Sequence, residues 1–136
     1  SCDFHELRDL NERIKAAASE PEMDAFYTGL LDKMMNDLLA DVIERTPPGP
    51  SGHLHRNWFT TKARRSGKHY RAEIYNNVFY APYVENGHRI VHKGVTHGFV
   101  EGKHMLRDSL FDLQKKAPDF IKTKSEEFLS RMMEGK

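Results

Sequence analysis

Eight histidines, at positions 5, 53, 55, 69, 88, 92, 97 and 104, are the first residues to ask for chemistry. His53-Leu54-His55 would place two imidazoles on one side of an extended segment, an arrangement that suits a metal. No cysteine accompanies them and no H-E-x-x-H motif occurs. His88 and His92 would align on a helix, but 88–92 reads as strand. Glu85 and His88 offer an acid–base pair, and His53, Asn57 and His88 an HNH-like set, but catalysis needs placed groups with tuned pKa values. A ββα-metal nuclease also needs its histidines in one tight strand–turn–helix unit, which this order of elements does not supply. The sequence has no G-x-S-x-G, P-loop or paired-carboxylate motif. The residues therefore favour a non-enzymatic chain with no cofactor and no native metal, and a histidine-based, metal-dependent hydrolase is the lesser alternative.

A second constellation is cationic. Lys62, Arg64, Arg65, Lys68 and Arg71 fall within ten residues, with His69 among them and no acid before Glu73. On a hairpin they form a basic finger able to touch phosphates without reading sequence. The plainer reading is a solvated turn, since Lys and Arg protect exposed strand edges. Trp58, Phe59 and Tyr70 flank the run and could stack bases, although their alternation favours burial. A nucleic-acid module built on 62–71 is the leading alternative function.

The positioning elements are read from periodicity. Phe4, Leu7, Leu10, Ile14 and Ala17 recur every three or four residues, as on one helical face. Ser19-Glu20-Pro21 breaks that helix and starts another, with Ser19 or Glu20 as cap and Pro21 near its first position. The second helix carries Met23, Phe26, Leu30, Leu31, Met34, Leu38, Val42 and Ile43 on one side, over about six turns. TPPGPSG (46–52) ends it, because three prolines and two glycines in seven residues cannot continue a helix.

Beyond that break the period becomes two. Residues 56–63 and 69–78 read as strands joined at Ser66-Gly67, and 89–100 as a weaker hairpin turning at Lys93-Gly94. Helical spacing returns with Met105, Leu106, Leu110 and Leu113, then Phe120, Ile121, Phe128, Leu129, Met132 and Met133, with a kink or split expected at Pro118. The expected fold is α+β: a small antiparallel sheet of about three or four strands in hairpins, packed against a long N-terminal helix and C-terminal helices. All of 1–136 reads as one domain, with 1–19 a helical extension.

Composition narrows the partners. Lys and Arg number 21 against 20 Asp and Glu, and a net charge of +1 gives no global pull toward nucleic acid or anionic lipid. No apolar run approaches the roughly 18 residues of a membrane span, and no signal-peptide core is visible, so no membrane partner is expected. The chain opens at Ser1 without methionine, as a processed end would. The lone cysteine, Cys2, cannot form an internal disulfide, and a reducing, cytoplasmic origin is the simplest expectation.

Three segments in fixed order, TPPGPSGHLHRNW (46–58), YAPYVENGHR (80–89) and VEGKHMLRDSL (100–110), resemble the tail-component family of long-tailed bacteriophages and prophages, the small tail-completion or head–tail joining proteins. Thr46, Pro47, Gly52, Leu54, Trp58, Tyr80, Ala81, Tyr83, Val84, Glu85, Gly87, Arg89, Gly102, Met105 and Leu106 fill that family's pattern. Ser51, His55 and Asn57 depart mildly from its usual Thr, Arg and Ser, and the resemblance spans roughly 22–134.

The resemblance implies a structural role at the head–tail junction of the virion, after assembly in the host bacterial cytoplasm. It implies self-association in a ring, commonly sixfold, with contacts to the tail tube or terminator and to the head connector. It also implies a partner surface on the loops, for which Leu54, Arg56, Trp58, Tyr80, Tyr83, Glu85, His88 and Arg89 are the candidates. Thr46, Pro47, Gly52, Pro82, Gly87 and Gly102 would shape the turns, and the basic hairpin would face passing DNA or an acidic partner rim.

Overall fold

The computed structural model describes residues 3–49 and 51–135, with 91 and 92 described in backbone alone. Cys2, Pro50 and the His92 ring lie outside the described residues.

Helix α1 (Phe4–Ala17) starts where the Asp3 carboxylate accepts the Glu6 amide at 2.8 Å. Its expected stripe is correct at the centre, where Leu10 and Ile14 are buried, but Phe4 stands exposed. Helix α2 (Glu20–Arg45) opens with a capping box: Ser19 Oγ accepts the Glu22 amide and the Glu22 carboxylate accepts the Ser19 amide. Pro21 sits in the first turn, where a missing N–H costs nothing.

α2 buries Met35, Leu38 and Val42, with Leu31, Leu39 and Ile43 half-buried around them. Met35 lies outside the expected stripe. Its burial results from the position of α2, which packs against both a hairpin and the last helix and so needs more than one apolar face.

Thr46 closes α2 and ties its end to Trp58. Its buried hydroxyl donates to the Val42 carbonyl at 2.6 Å and accepts the Trp58 indole N–H at 2.8 Å. One helical turn, α3 (His53–Arg56), then begins at Gly52, whose φ of +66° is costly for other residues.

The first hairpin comprises β1 (Trp58–Thr60), β2 (Arg64–Ser66), β3 (His69–Arg71) and β4 (Ile74–Asn76). β1 pairs with β4 and β2 with β3, both antiparallel. Between the two ladders the outgoing arm has Thr61, Lys62 and Ala63 where the return arm has Ala72 and Glu73, a one-residue bulge. The alternation on 69–78 holds throughout: Tyr70, Ala72, Ile74, Asn76 and Val78 turn inward, and His69, Arg71, Glu73 and Tyr75 are exposed.

Helix α4 (Ala81–Asn86), with Pro82 in its first turn, leads into β5 (Gly87–His92), which pairs antiparallel with β6 (Val95–Glu101) across a turn at Lys93-Gly94. The α+β class holds, with its strands in three two-stranded pieces rather than one sheet. Helix α5 (Met105–Glu134) runs unbroken through Pro118 instead of splitting there. The carbonyl that Pro118 leaves without an N–H belongs to Gln114, which faces solvent, and both halves of the helix are held by packing.

Two cores result. The larger gathers Met35, Leu38, Val42, Leu54, Trp58, Val78, Ala81 and Met105, and each large member contributes about 1.5–3 kcal/mol by leaving water. The smaller joins Leu10 and Ile14 of α1 to Phe128 and Leu129 of α5, with Phe26 of α2 stacked on Phe128 at 4.4 Å.

Candidate functional site

The segment YAPYVENGHR splits into an anchored half and a presented half. Ala81 is buried, and Tyr80 and Val84 pack against the larger core. Glu85 reaches α5, where its two carboxylate oxygens accept the Leu106 and Arg107 amides at 2.8 and 3.0 Å. Those amides belong to the first turn of α5, so Glu85 caps that helix and places negative charge at the positive end of its dipole. α5 needs this, because its own N-cap residue, His104, adopts φ +48° and gives no side-chain cap. The Lys103 and His104 amides donate to the Val84 and Glu85 carbonyls, completing the clasp between α4 and α5.

Two glycines make the clasp close. A Cβ on Gly87 would lie 2.4 Å from the Val100 carbonyl oxygen, and one on Gly102 would lie 2.3 Å from the Glu85 carbonyl oxygen. Gly87 also holds φ at +83°.

The presented half is apolar and aromatic. Phe79 is 86% exposed and Tyr83 56%. The Tyr83 ring meets His88 edge-on at 6.1 Å, and His88 stands opposite Val100 in the β5–β6 ladder. Ile90, opposite Gly98, and Val95 beyond the register shift continue the same face of the second hairpin, and both are exposed. A stripe thus runs from α4 along β5 and β6. Phe99, 59% exposed beside its partner Arg89, marks the opposite face.

Two sequence-predicted site residues are placed here together, Tyr83 and His88, while Arg89 lies on the opposite face of the hairpin beside Phe99. Others are not. Leu54 and Trp58, expected at a partner surface, are 5% and 7% exposed and form part of the core, because α3 and the Thr46 hydroxyl draw them inward. Arg56 is exposed on α3, apart in the chain from the clasp. Tyr80 is half-buried.

The structure gives the acid–base and metal constellations no support. Both Glu85 oxygens are taken by α5, and His88 is directed to Tyr83 and the Arg89 carbonyl. His53 and His55 lie on a helical turn, so the shared side expected of an extended segment is lost. The Asn57 side-chain amide donates to the His53 carbonyl at 2.6 Å. Among the described residues no cluster of three or more metal-ligating side chains occurs. A cleft of about 310 Å³ between α2 and α5, lined by Met34, Asp37, Leu38, Ser109, Asp112 and Phe120, lies apart from the clasp segment.

The basic run divides. Arg65 turns to α2 and pairs with Glu20 and Asp24, whose hydrogen bonding and charge raise its pKa further. Lys62, Arg64, Lys68 and Arg71 remain exposed. Tyr70 donates its hydroxyl to Asp24 at 2.5 Å, and burial, then that bond, pushes its phenol up to about 12; burial alone does the same to Tyr27.

Phe79, Ile90, Val95, Phe99 and Val100 were not singled out in the sequence as partner-facing. The signal available was a hairpin with apolar residues on both faces and no apolar segment left over to cover it.

A protein-family model described as "Bacteriophage HK97-gp10, putative tail-component" matches residues 8–87, more than half of the chain. The match begins inside α1, the helix read from sequence as an extension, and ends at the first residue of β5. No curated protein and no solved structure matches. Among the described residues no helix is long and apolar enough to cross a membrane.

Proposed function

The chain belongs to the bacteriophage HK97-gp10-like tail-component family, and from that membership we propose that it is a structural assembly protein which completes the tail or joins it to the head. In this reading it acts without catalysis at the head–tail junction of a long-tailed phage or prophage. It associates with copies of itself in a ring, sixfold by resemblance, and with the tail tube or terminator and the head connector.

The observation that carries the reading is the exposed stripe of Tyr83, His88, Ile90, Val95 and Val100. Contiguous apolar surface of this kind marks protein contact, and aromatic residues such as Tyr83 are among the types that dominate interface energetics. A ring needs one patch to meet a different patch on the neighbour, so the stripe supplies half of each contact. A single weak neighbour contact gains little without a template, which favours assembly on a preformed tail or connector surface.

The test is genetic and visual. In an inducible phage carrying the gene, deletion, or the double change Tyr83→Asp with Val100→Asp, should leave filled heads and separate tails under the electron microscope. Intact infectious particles from the deletion would overturn the role. Normal particles from the double variant would overturn the assignment of the stripe.

A further inference from the structure

We propose that the outward face of the first hairpin binds nucleic acid through its phosphate backbone, a role that goes beyond assembly contacts and does not depend on them. The fold sorts the basic run by function. Arg65 is neutralised on α2 by Glu20 and Asp24. Lys62, Arg64, Lys68 and Arg71 are exposed, and among the described residues none of the four has a carboxylate partner.

Arg64 and Arg71 stand directly opposite each other in the β2–β3 ladder. Like charges so placed destabilise a ribbon, so the fold tolerates this pair without gaining from it, whereas a polyanion lying across both strands would use it. On the same exposed surface toward the hairpin base, Phe59 and Tyr75 are ladder partners with ring centroids 5.8 Å apart, both exposed. Cations along a ribbon beside aromatic rings are the combination that holds a phosphate chain and stacks its bases or sugars. An acidic peptide would satisfy the cations but leave the rings without a matching flat surface. Glu73, between the two groups, is exposed too and leaves the face strongly positive.

The experiment is fluorescence anisotropy on the full chain with labelled oligothymidine and with a mixed-sequence duplex, titrated over salt. Two contacts from Arg64 and Arg71, rising to four if Lys62 and Lys68 swing to the same strand, predict a log–log salt slope of about −1.4 to −2.8 on the single strand or about −1.8 to −3.6 on the duplex, and the better ligand identifies the form of nucleic acid recognised. Arg64→Glu should weaken binding on the order of tenfold by removing and then repelling phosphate contacts. The same variant should raise the thermal midpoint, because the introduced carboxylate would face Arg71 across the ladder. Lys93→Glu changes net charge equally at the tip of the second hairpin and should bind like the parent. Three results would each overturn the proposal: no binding at low salt, equal losses in the two variants, or tighter binding to a glutamate-rich peptide of matched charge. None of these would touch the assembly role, which the particle images test separately.

Discussion

The first hairpin, 58–76, is fastened to α2 along its length, whereas the second, 87–101, is gripped at its root and then leaves the body. At the base of the first, Trp58 donates to Thr46; at its bulge, the Ala63 amide donates to Asp32 at 2.7 Å; near its tip, Tyr70 and Arg65 meet Asp24 and Glu20. The second contacts α4 beside the Gly87–Gly102 crossing, and no residue of β6 is buried. The same motif thus serves two ends. Where α2 supplies polar anchors, one face becomes core and the other is free to be cationic. Where none is supplied, both faces stay open for a partner.

Four measurements put this contrast at risk. The largest effect belongs to the root of the second hairpin. Gly102→Ala forces a methyl against the Glu85 carbonyl and the neighbouring backbone, and should cost about 3 kcal/mol in urea unfolding. A parent-like midpoint would mean that the crossing is looser than described.

At the root of the first hairpin, Thr46→Val keeps the shape but orphans the buried Trp58 indole N–H, with an expected cost of about 1–3 kcal/mol. A smaller effect comes with pH. The Tyr70 and Tyr27 phenols, ordinarily near 10, sit at about 12 in the fold. An unfolded chain releases these protons first, so stability should be level below about pH 10 and fall between about 10 and 12. Tyr70→Phe should make that fall shallower, and an unchanged slope would remove the assigned cause. The smallest effect on stability is expected on the second hairpin. Val95→Ser and Phe99→Ser should each stay within about 0.5 kcal/mol of the parent. A larger loss would show that the hairpin is packed in solution.

The sequence made local chemistry legible. Ser19 with Pro21 marked the start of α2, alternation marked 69–78 as strand, and Pro82 and Gly87 marked turns. It could not show partners that lie far along the chain. Glu85 was a candidate partner-facing carboxylate because the groups it holds, the Leu106 and Arg107 amides, lie 21 and 22 residues away. Leu54 and Trp58 looked like interface residues because a partner and a core ask for the same side chains. The basic run read as one finger because nothing local reveals that Arg65, at the inward register, would find Glu20 and Asp24 on α2. The split offered at Pro118 does not occur for the opposite reason: its local cost is real, but packing at both ends of α5 keeps the helix continuous.

The Gly87–Gly102 crossing has one more consequence. Chain enters and leaves the second hairpin at nearly the same point, with the backbone locked on both sides. The 15 residues 87–101 therefore behave as an insert whose two ends are already closed. Its reach can be lengthened or shortened in matched pairs, or its tip exchanged for another peptide, while the helices beneath keep their places. The outline of the hairpin can thus change without refolding the body that carries it.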